Sequence, residues 1–120
     1  MQNKYRIIAI NGFYDSILIR HYFENEQPEI PRDYKILGKD QRYTGLNEFE
    51  PDTVLGICRE VYERDIIEYE VQGVKFNGIV KERLGEWVVK TTFNQVSLEA
   101  VLKYNKGKII GSSFVDRDLT

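Results

Sequence analysis

Two reactive residue types are almost missing from this sequence. Its 120 residues include one cysteine, Cys58, and one histidine, His21. One cysteine excludes an internal disulfide and a cysteine-rich zinc site. The two residues lie far apart, and neither stands in a motif typical of a thiol hydrolase. The carboxylates between Glu24 and Tyr34 are spread through a proline-containing stretch typical of a solvated loop. The sequence therefore predicts no catalytic residue, no metal site and no cofactor, and a protein that is not an enzyme.

Long apolar runs and a strong excess of one charge are also absent. No stretch reaches the roughly 20 apolar residues of a membrane-spanning helix. The first six residues are followed by only four apolar ones, too few for a signal peptide. The net charge is −2 at pH 7, which argues against a protein whose main task is to grip a phosphate backbone. We therefore expect an intracellular protein that has no membrane partner.

The chain does contain the ingredients of one folded domain. Hydrophobic residues make up 42% and charged residues 30% of the sequence, a balance typical of globular rather than disordered proteins. A chain of this length is one domain by the usual size range and buries enough surface for a single core. We therefore expect a single domain over residues 1–120.

The clearest β signal lies between Val61 and Phe93. Three runs of β-branched and aromatic residues predict three consecutive antiparallel strands, separated by turns at Gln72-Gly73 and Leu84-Gly85. Each run alternates between an apolar and a polar face. The apolar face is predicted to form the core, and its members are Ile67, Tyr69, Val71, Val74, Phe76, Val80, Trp87, Val89, Thr91 and Phe93. Gly78 lies on the same face, where a missing side chain indicates a bulge or a bend.

The N-terminal half has shorter β signals. Tyr5 to Ile10 and Ser16 to Phe23 are predicted strands, joined at Asn11-Gly12, a dipeptide favoured in tight turns. A helix capped by Asp15 or Ser16 is the alternative for the second segment. Residues 24–34 are predicted to form an exposed loop, and residues 35–45 an ordinary surface of mixed charge.

Two segments have helical spacing. Residues 50–62 place apolar side chains on one helical face, which would turn the thiol of Cys58 toward the core; these residues are Val54, Leu55, Cys58, Val61 and Tyr62. Ser97 is predicted to cap a short helix that Lys106-Gly107 ends. The buried face of that helix is predicted to carry Leu98, Val101 and Leu102. A last strand is predicted from Lys108 to Phe114.

Together these elements predict a mainly β protein with short helices. Three strands separated by glycine-containing turns, a helical turn and a returning strand have the layout of an SH3-like small barrel, which we place at residues 61–114. The N-terminal part, residues 1–60, would add a hairpin, loops and the first short helix.

Three segments follow one another in a recognisable order. They are Tyr43-Thr44-Gly45-Leu46, then Val61 to Ile67, and then Ile109 to Leu119. They resemble the signature of the YopX family of small phage and prophage proteins. That signature has a Thr-Gly-Leu element, an Ile-Tyr-Glu-Gly-Asp-Ile-Val element, and a closing Ile-Gly-Asn-Ile-Tyr segment that ends in Asn-Pro-Glu-Leu. The order and spacing agree over about residues 43–119.

The chain also departs from this pattern. Arg64 and Ser112 stand where the family has glycine and asparagine, the closing proline is missing, and extra residues precede Val61. The resemblance therefore implies a divergent member, made in the cytoplasm of an infected or lysogenic bacterial cell, and it implies no defined reaction. The motif residues also have plain structural interpretations. Gly45 suits a turn, Asp65 suits a side-chain bond to the backbone before a strand, and Gly111 suits a bend.

The first functional hypothesis is a small binding module. The chain has eight tyrosines, six phenylalanines and one tryptophan, and tyrosine is enriched where protein interfaces form. The partner would be a host protein, a phage protein or a second copy of the chain, and inhibition of a host defence system is one version of this role. An acidic face of Glu63, Glu68 and Glu70 is the candidate partner-binding site, because carboxylates can mimic nucleic-acid phosphates.

The alternative hypothesis is a barrel that binds single-stranded or duplex nucleic acid. Small barrels often present basic and aromatic residues on one sheet face. The candidate contacts on the predicted outer face are Lys75, Lys81, Arg83 and Lys90, and a second group of lysines near the end consists of Lys103, Lys106 and Lys108.

Overall fold

The computed structural model describes residues 3–49 and 59–115. Its elements are the strands β1 (Lys4–Asn11), β2 (Ser16–Phe23), β3 (Lys35–Asn47), β4 (Glu60–Tyr62), β5 (Asp65–Val71), β6 (Val74–Arg83), β7 (Glu86–Lys90) and β8 (Gln95–Ser97), the helix α1 (Leu98–Tyr104) and the strand β9 (Lys108–Ser112). The prediction of a mainly β protein of the small-barrel type with little helix is confirmed.

Contacts between residues divide the chain into two units, Met1–Tyr43 and Thr44–Thr120. The sequence had placed a division within its single domain at residue 60. The strand order of the first sheet is β2-β1-β3-β4, and β3 belongs to both units because it continues past residue 43.

In the first unit, β1 and β2 form the predicted hairpin and pair over all eight residues of each strand. The connection is longer than the predicted Asn11-Gly12 turn. The side chain of Asn11 accepts hydrogen bonds from the backbone N–H groups of Phe13 (3.0 Å) and Tyr14 (3.4 Å). This Asx-type capping opens the turn into a four-residue loop that ends at Asp15, whose φ is +52°.

In the first unit, residues 24–34 agree with the sequence prediction, and residues 35–45 form an element that it did not include. Residues 24–34 contain no helix or strand, as expected. Residues 35–45 were expected to be a mixed surface, but they belong to the 13-residue strand β3. Its pairing with β1 shifts register twice. The side chains of β3 therefore do not alternate regularly between the two faces of the sheet.

The second unit is built on a curled five-stranded sheet with the order β8-β7-β6-β5-β9. Both predicted turns are present. In each turn the two central residues, Gln72-Gly73 and Leu84-Gly85, have positive φ, between +50° and +83°. Two consecutive positive φ values match the twist of a two-residue hairpin, and the register of β5, β6 and β7 follows from these turns.

The first of the three predicted strands is in fact two strands. A turn at Glu63 and Arg64 separates β4 from β5, and Arg64 has a φ of +75°. The carboxylate of Asp65 accepts the backbone N–H of Tyr62 across this turn at 2.9 Å, as predicted for that residue. The predicted helix over residues 50–62 is wrong at its end, because Glu60–Tyr62 is a strand. Residues 50–58, including Cys58, lie outside the described residues.

The core of the second unit is largely the predicted one. Its buried cluster joins four strands, β4 to β7, to α1 and consists of Val61, Ile67, Tyr69, Val80, Val89, Leu98, Val101 and Leu102, with Trp87 packed against it. Phe76 stacks on Tyr69 with ring centroids 5.6 Å apart. The core prediction was wrong for Val71, Val74, Phe76 and Phe93, which are 39%, 54%, 37% and 93% exposed. Strand β7 ends at Lys90, and a turn closed by the Thr91 N–H to the Asn94 carbonyl stops the alternation.

Gly78 is explained by close packing rather than by a bulge. Its pairing with Ile67 lies in a regular register. A Cβ atom there would lie 2.5 Å from Cγ1 of Val89 and 3.0 Å from the carbonyl oxygen of Lys90. The absence of a side chain therefore lets β6 pack closely against β7.

The predicted C-terminal helix is confirmed as α1. The hydroxyl of Ser97 accepts the N–H of Ala100 at 3.3 Å, and the N–H of Gly107 closes the other end on the carbonyl of Val101 at 3.0 Å. The helix has seven residues. Within residues 3–49 and 59–115, no helix has both the length and the apolar character needed to cross a membrane.

Candidate functional site

The four basic candidates predicted from the sequence lie on one face of the second unit's sheet. Lys75, Lys81 and Arg83 occupy alternate positions of β6 on the face opposite Val80, and the register brings Lys90 to the same face beside Ile79. Acidic residues are interleaved with them. Lys75 lies opposite Glu70, and Arg83 lies opposite Glu86. The basic residues therefore form a row that carboxylates interrupt.

The acidic candidates share that face only in part. Glu68 and Glu70 alternate on β5, whereas Glu63 lies in the turn before β5. Lys75 forms an ion pair with Glu68 at 3.8 Å, and Lys106 pairs with Glu70 at 3.5 Å. The structure thus brings two of the three acidic candidates together, but it places lysines beside both.

A shallow cavity of about 310 Å³ forms where these charges meet. We call it the mixed-charge patch, and it is lined by Glu68, Tyr69, Glu70, Lys75, Lys106 and Lys108. Lys103 lies apart from it on α1 and pairs with Glu99 at 2.9 Å, which lowers the pKa of Glu99 and raises that of Lys103. Exposed pairs of this kind contribute little to stability. The mixed-charge patch presents neither a purely acidic nor a purely basic surface.

The three segments that resemble a family signature meet in the second unit. The hydroxyl of Thr44 donates to the carbonyl of Val61 at 2.7 Å. Arg64 donates from Nε to the hydroxyl of Ser113 at 2.8 Å and lies over the ring of Phe114. Asp65 is 1% exposed and pairs with Ser112 across β5 and β9. These contacts give the motif residues a structural role, since they fasten β3, β4, β5 and β9 to one another.

Of the two glycines in these segments, Gly45 lies within strand β3 rather than in the predicted turn, and Gly111 lies beside an irregularity in the pairing of β9. Gly45 has a φ of +80°, a conformation that glycine adopts without strain. Beside Gly111 the pairing of β5 with β9 shifts register between Ile66 and Ile67, which inserts an extra residue at Ile110. This irregularity is the predicted bend.

The residues with reactive side chains form no site in the described part of the chain. His21 lies exposed on β2, and Cys58 falls in the stretch left undescribed. Residues 3–49 and 59–115 contain no group of three or more histidine, cysteine, aspartate or glutamate side chains able to hold a metal ion. No known protein family, curated protein or solved structure matches this chain. Its function must be inferred from its own surfaces.

The largest feature that sequence reasoning missed is the outer edge of β2. This strand is last in its sheet order, has eight residues, and contains neither proline nor glycine. Ile17, Ile19 and Phe23 point to one face and are 49%, 46% and 42% exposed. A long, regular and apolar edge strand is a template for pairing with another chain. The sequence showed these residues alternating, but alternation does not reveal which strand ends a sheet.

The backbone of β2 is oriented for such pairing. Glu24 donates its N–H to the carbonyl of Asn3, which continues the ladder with β1. Backbone groups in an antiparallel pair alternate in direction, so the even-numbered residues of β2 bond to β1. The odd-numbered residues, among them Ile17 and Ile19, direct their N–H and C=O groups away from β1. The N–H of Phe23 accordingly points outward and donates to the carboxylate of Glu26 at 2.7 Å.

Two exposed aromatic rings extend this edge. Phe13 and Tyr14 occupy the loop between β1 and β2 and contact each other edge to face, with centroids 4.9 Å apart. Exposed aromatic pairs beside an apolar strand are typical of interaction sites. We refer to Phe13, Tyr14, Ile17, Ile19 and Phe23, with the outward backbone of β2, as the β2 edge.

Strand β9, at one edge of the second sheet, differs from β2 because side chains bond its outward backbone groups. The carboxylate of Glu48 accepts the N–H of Ile109 at 2.8 Å, and Arg59 donates to the carbonyl of Ile109 at 2.8 Å. Glu48 and Arg59 also bond to each other at 2.6 and 3.0 Å. This pair occupies the positions that a neighbouring strand would take. The edge of β9 is therefore blocked by side chains.

A groove of about 670 Å³ lies beside β2 within the first unit. The rings of Tyr5 and Tyr22 stack on its floor with centroids 5.7 Å apart. The hydroxyl of Tyr22 donates to the carboxylate of Asp40 and accepts its backbone N–H. Burial, and then the bond to Asp40, raise the pKa of Tyr22 to about 12. Three carboxylates, Glu24, Glu26 and Asp40, and one lysine, Lys39, line the groove, so this acidic rim suits a cationic or aromatic side chain.

Proposed function

We propose that this chain is a small, non-enzymatic binding module, encoded by a phage or prophage, that recognises a protein through the β2 edge. The observation that carries the proposal is the edge itself. Strand β2 is regularly paired over eight residues, its odd-numbered residues turn their backbone groups outward, and with its exposed isoleucines it can accept an extended strand from another protein. Backbone hydrogen bonds would supply affinity, and the exposed side chains would supply specificity.

The neighbouring features support a protein partner. Phe13 and Tyr14 provide exposed aromatic area at one end of β2, and the groove over Tyr5 and Tyr22 lies on the other face of the same hairpin. Aromatic anchors are enriched in interface hot spots. The acidic rim of the groove favours a partner with basic side chains near the bound strand.

The phage or prophage origin rests on the resemblance to the YopX family. The positive φ of Arg64 supports it, because the family has glycine at that position and glycine adopts this conformation without strain. The contacts from Thr44 to Val61 and from Arg64 to Ser113 support it as well, since they join the three motif segments. In this proposal the protein acts in the cytoplasm of an infected or lysogenic bacterium, and inhibition of a host defence protein is one role that fits.

Nucleic acid remains the second choice of partner. The basic candidates are interleaved with Glu70 and Glu86 on the same sheet face, and carboxylates beside a phosphate backbone oppose binding. The β2 edge offers a protein strand exposed isoleucines and outward backbone groups, of which Glu26 bonds those of Phe23 and Arg20 bonds the carbonyl of Ile19 at 3.4 Å.

The experiment is capture from bacterial lysate by the immobilised full chain, combined with light scattering of the chain alone. The test variant is Ile19→Lys, which puts a charge in the middle of the edge. The control is Ile110→Lys, because Ile110 is 43% exposed on β9 and its strand is blocked by Glu48 and Arg59. We expect the wild type and Ile110→Lys to show a partner or self-association, and Ile19→Lys to lose it. A wild-type chain that is monomeric and captures nothing would overturn the proposal.

A further inference from the structure

We infer that the groove over Tyr5 and Tyr22 is a binding site for an arginine side chain of another protein. The site goes beyond the proposed function, because none of the five residues of the β2 edge lines the groove. It rests on the proposed function at one point only, which is that a protein supplies the arginine. The volume of the groove is about 670 Å³, within the range of small-ligand sites.

The floor and the apolar lining of the groove match the shape of an arginine side chain. The ring centroids of Tyr5 and Tyr22 lie 5.7 Å apart, with an angle of 27° between the ring planes. A planar guanidinium can stack on such a surface, and arginine does so more often than lysine. Apolar side chains can contact the methylene stem of the arginine; those that line the groove are Ile7, Pro28, Ile30 and Ile36.

The charged groups of the groove favour a cation. Three carboxylates line it, those of Glu24, Glu26 and Asp40, beside the one ammonium of Lys39. Within residues 3–49 and 59–115, none of these four side chains takes part in an ion pair. The donors that bond the three carboxylates are neutral, and they are the amide of Asn3, the N–H of Phe23 and the hydroxyl of Tyr22. A guanidinium would supply the missing positive charge and can bond two carboxylate oxygens at once.

A bulge in β3 brings Asp40 to the aromatic floor. In the pairing of β1 with β3, the single residue Ile7 lies opposite two residues, Lys39 and Asp40, which is the arrangement of a β-bulge. Consecutive residues of a regular strand point to opposite faces, yet both of these line the groove. Asp40 has a φ of +55°, and the hydroxyl of Tyr22 donates to its carboxylate and accepts its N–H. The bulge therefore fixes a carboxylate beside the rings.

The lining suits an arginine within a protein chain better than free arginine. The free amino acid also carries an α-carboxylate, which would meet three carboxylates and only one lysine among the lining residues. Like charges placed together oppose binding. N-acetyl-argininamide has no charge at its α-amino or carboxyl group, so this capped arginine represents a residue inside a protein.

The test titrates the full chain with capped arginine and follows the backbone amide signals by two-dimensional NMR. We expect saturable shifts at Lys39 and Asp40. The matched neutral probe is N-acetyl-citrullinamide, in which a urea group replaces the guanidinium, and we expect it to bind at least about fivefold more weakly. N-acetyl-lysinamide should also bind more weakly, because an ammonium is not planar and is more strongly hydrated.

Two variants test the carboxylates of the groove. Asp40→Asn removes a charge and keeps a residue type that tolerates a left-handed φ. Glu26→Gln removes a charge and keeps an acceptor for the N–H of Phe23. The control is Asp15→Asn, since Asp15 is exposed, has a φ of +52° and does not line the groove. We expect each test variant to bind capped arginine roughly threefold more weakly, and Asp15→Asn to bind it as the wild type does.

The inference falls if capped arginine does not bind saturably, if the citrulline or lysine probe binds as well, or if both test variants keep the wild-type affinity. Tighter binding of free arginine than of capped arginine would assign the groove to the free amino acid and overturn the protein source. Ile19→Lys should bind capped arginine as the wild type does, because Ile19 does not line the groove. Capture of a lysate protein that depends on Ile19 tests the proposed function separately, so either proposal can fail without the other.

Discussion

At Gly78, the space around the backbone decides which residue the position accepts. We expect Gly78→Ala to lower the free energy of unfolding by about 1–3 kcal/mol, the usual cost of forcing an extra carbon into a packed region. The added Cβ would meet Val89 and the backbone of Lys90. Urea denaturation measures the loss. The control is Gly12→Ala, since a Cβ at Gly12 meets nothing within 4 Å. Equal stability of the two variants would contradict the close packing of β6 against β7.

The raised pKa of Tyr22 predicts that the stability of the protein depends on pH in the alkaline range. Its pKa is raised to about 12 in the folded protein, first by burial and then by the bond to Asp40, whereas an unfolded tyrosine titrates near 10. The folded state therefore holds this proton more tightly, and the resulting stability is present below pH 10 and is lost as the pH rises through 12. Urea denaturation at several pH values should show a steeper fall for the wild type than for Tyr22→Phe.

The same variant has an expected effect at neutral pH. Tyr22→Phe removes the hydroxyl that bonds both the carboxylate and the N–H of Asp40, and we expect a loss of about 1 kcal/mol. Tyr69, whose pKa is also raised by burial, titrates in both proteins and cancels in the comparison. Parallel pH profiles for the wild type and Tyr22→Phe would contradict the assignment to Tyr22.

Sequence reasoning predicted single residues well where their role is local. The bond from Asp65 to the N–H of Tyr62 and the cap at Ser97 both involve neighbours a few positions away. Gly78 was singled out as a bulge or bend, but its constraint comes from Val89 on another strand. Local chemistry is visible in the sequence, whereas contacts across a sheet are not.

At the scale of elements, the edge strands β9 and β2 differ in whether side chains cover their outward backbone groups. Glu48 and Arg59 bond the backbone of Ile109 and close β9, while the middle of β2 carries exposed isoleucines. Natural sheets usually protect such edges. The contrast between a blocked edge and an apolar one is the reason for assigning function to β2.

The blocking of β9 gives an element-scale prediction. We expect Glu48→Ala to lower the free energy of unfolding by about 1–3 kcal/mol, because it leaves the N–H of Ile109 without its acceptor in a nearly buried setting. Amide hydrogen exchange at Ile109 should quicken. Glu26→Ala is the control, since it frees only the exposed N–H of Phe23, and its effect on unfolding should be smaller. A Glu48→Ala protein with unchanged exchange at Ile109 would contradict this role.

Elements with regular patterns were predictable, and those that depend on partners were not. The hairpin turns at Gln72-Gly73 and Leu84-Gly85 carry their own backbone preference. Strand β3 has an irregular register and polar residues, so it forms because β1 lies beside it. Strand β4 has three residues, too short for any period to show, and helical spacing concealed it.

At the scale of the whole molecule, the charge distribution predicts weak binding to nucleic acid. The net charge is −2, and the basic row on β6 and β7 is interrupted by Glu70 and Glu86. In a gel shift with mixed single-stranded and duplex DNA, we expect no complex at moderate salt and little at low salt. Arg83→Glu should change nothing. Binding that falls steeply with salt and is lost in Arg83→Glu would instead establish the nucleic-acid alternative.

The sequence alone determined that the chain is mainly β, where the hairpins of the second unit turn, and most of the side chains that fill the core of that unit. These properties follow from local preference and from alternation, which each segment carries in itself. Only the tertiary structure decided the strand order, and with it the exposure of β2, the blocking of β9 and the mixing of acidic and basic candidates on one face. Strand order depends on pairings between distant segments, and a pattern of alternating residues is the same at the centre of a sheet as at its edge.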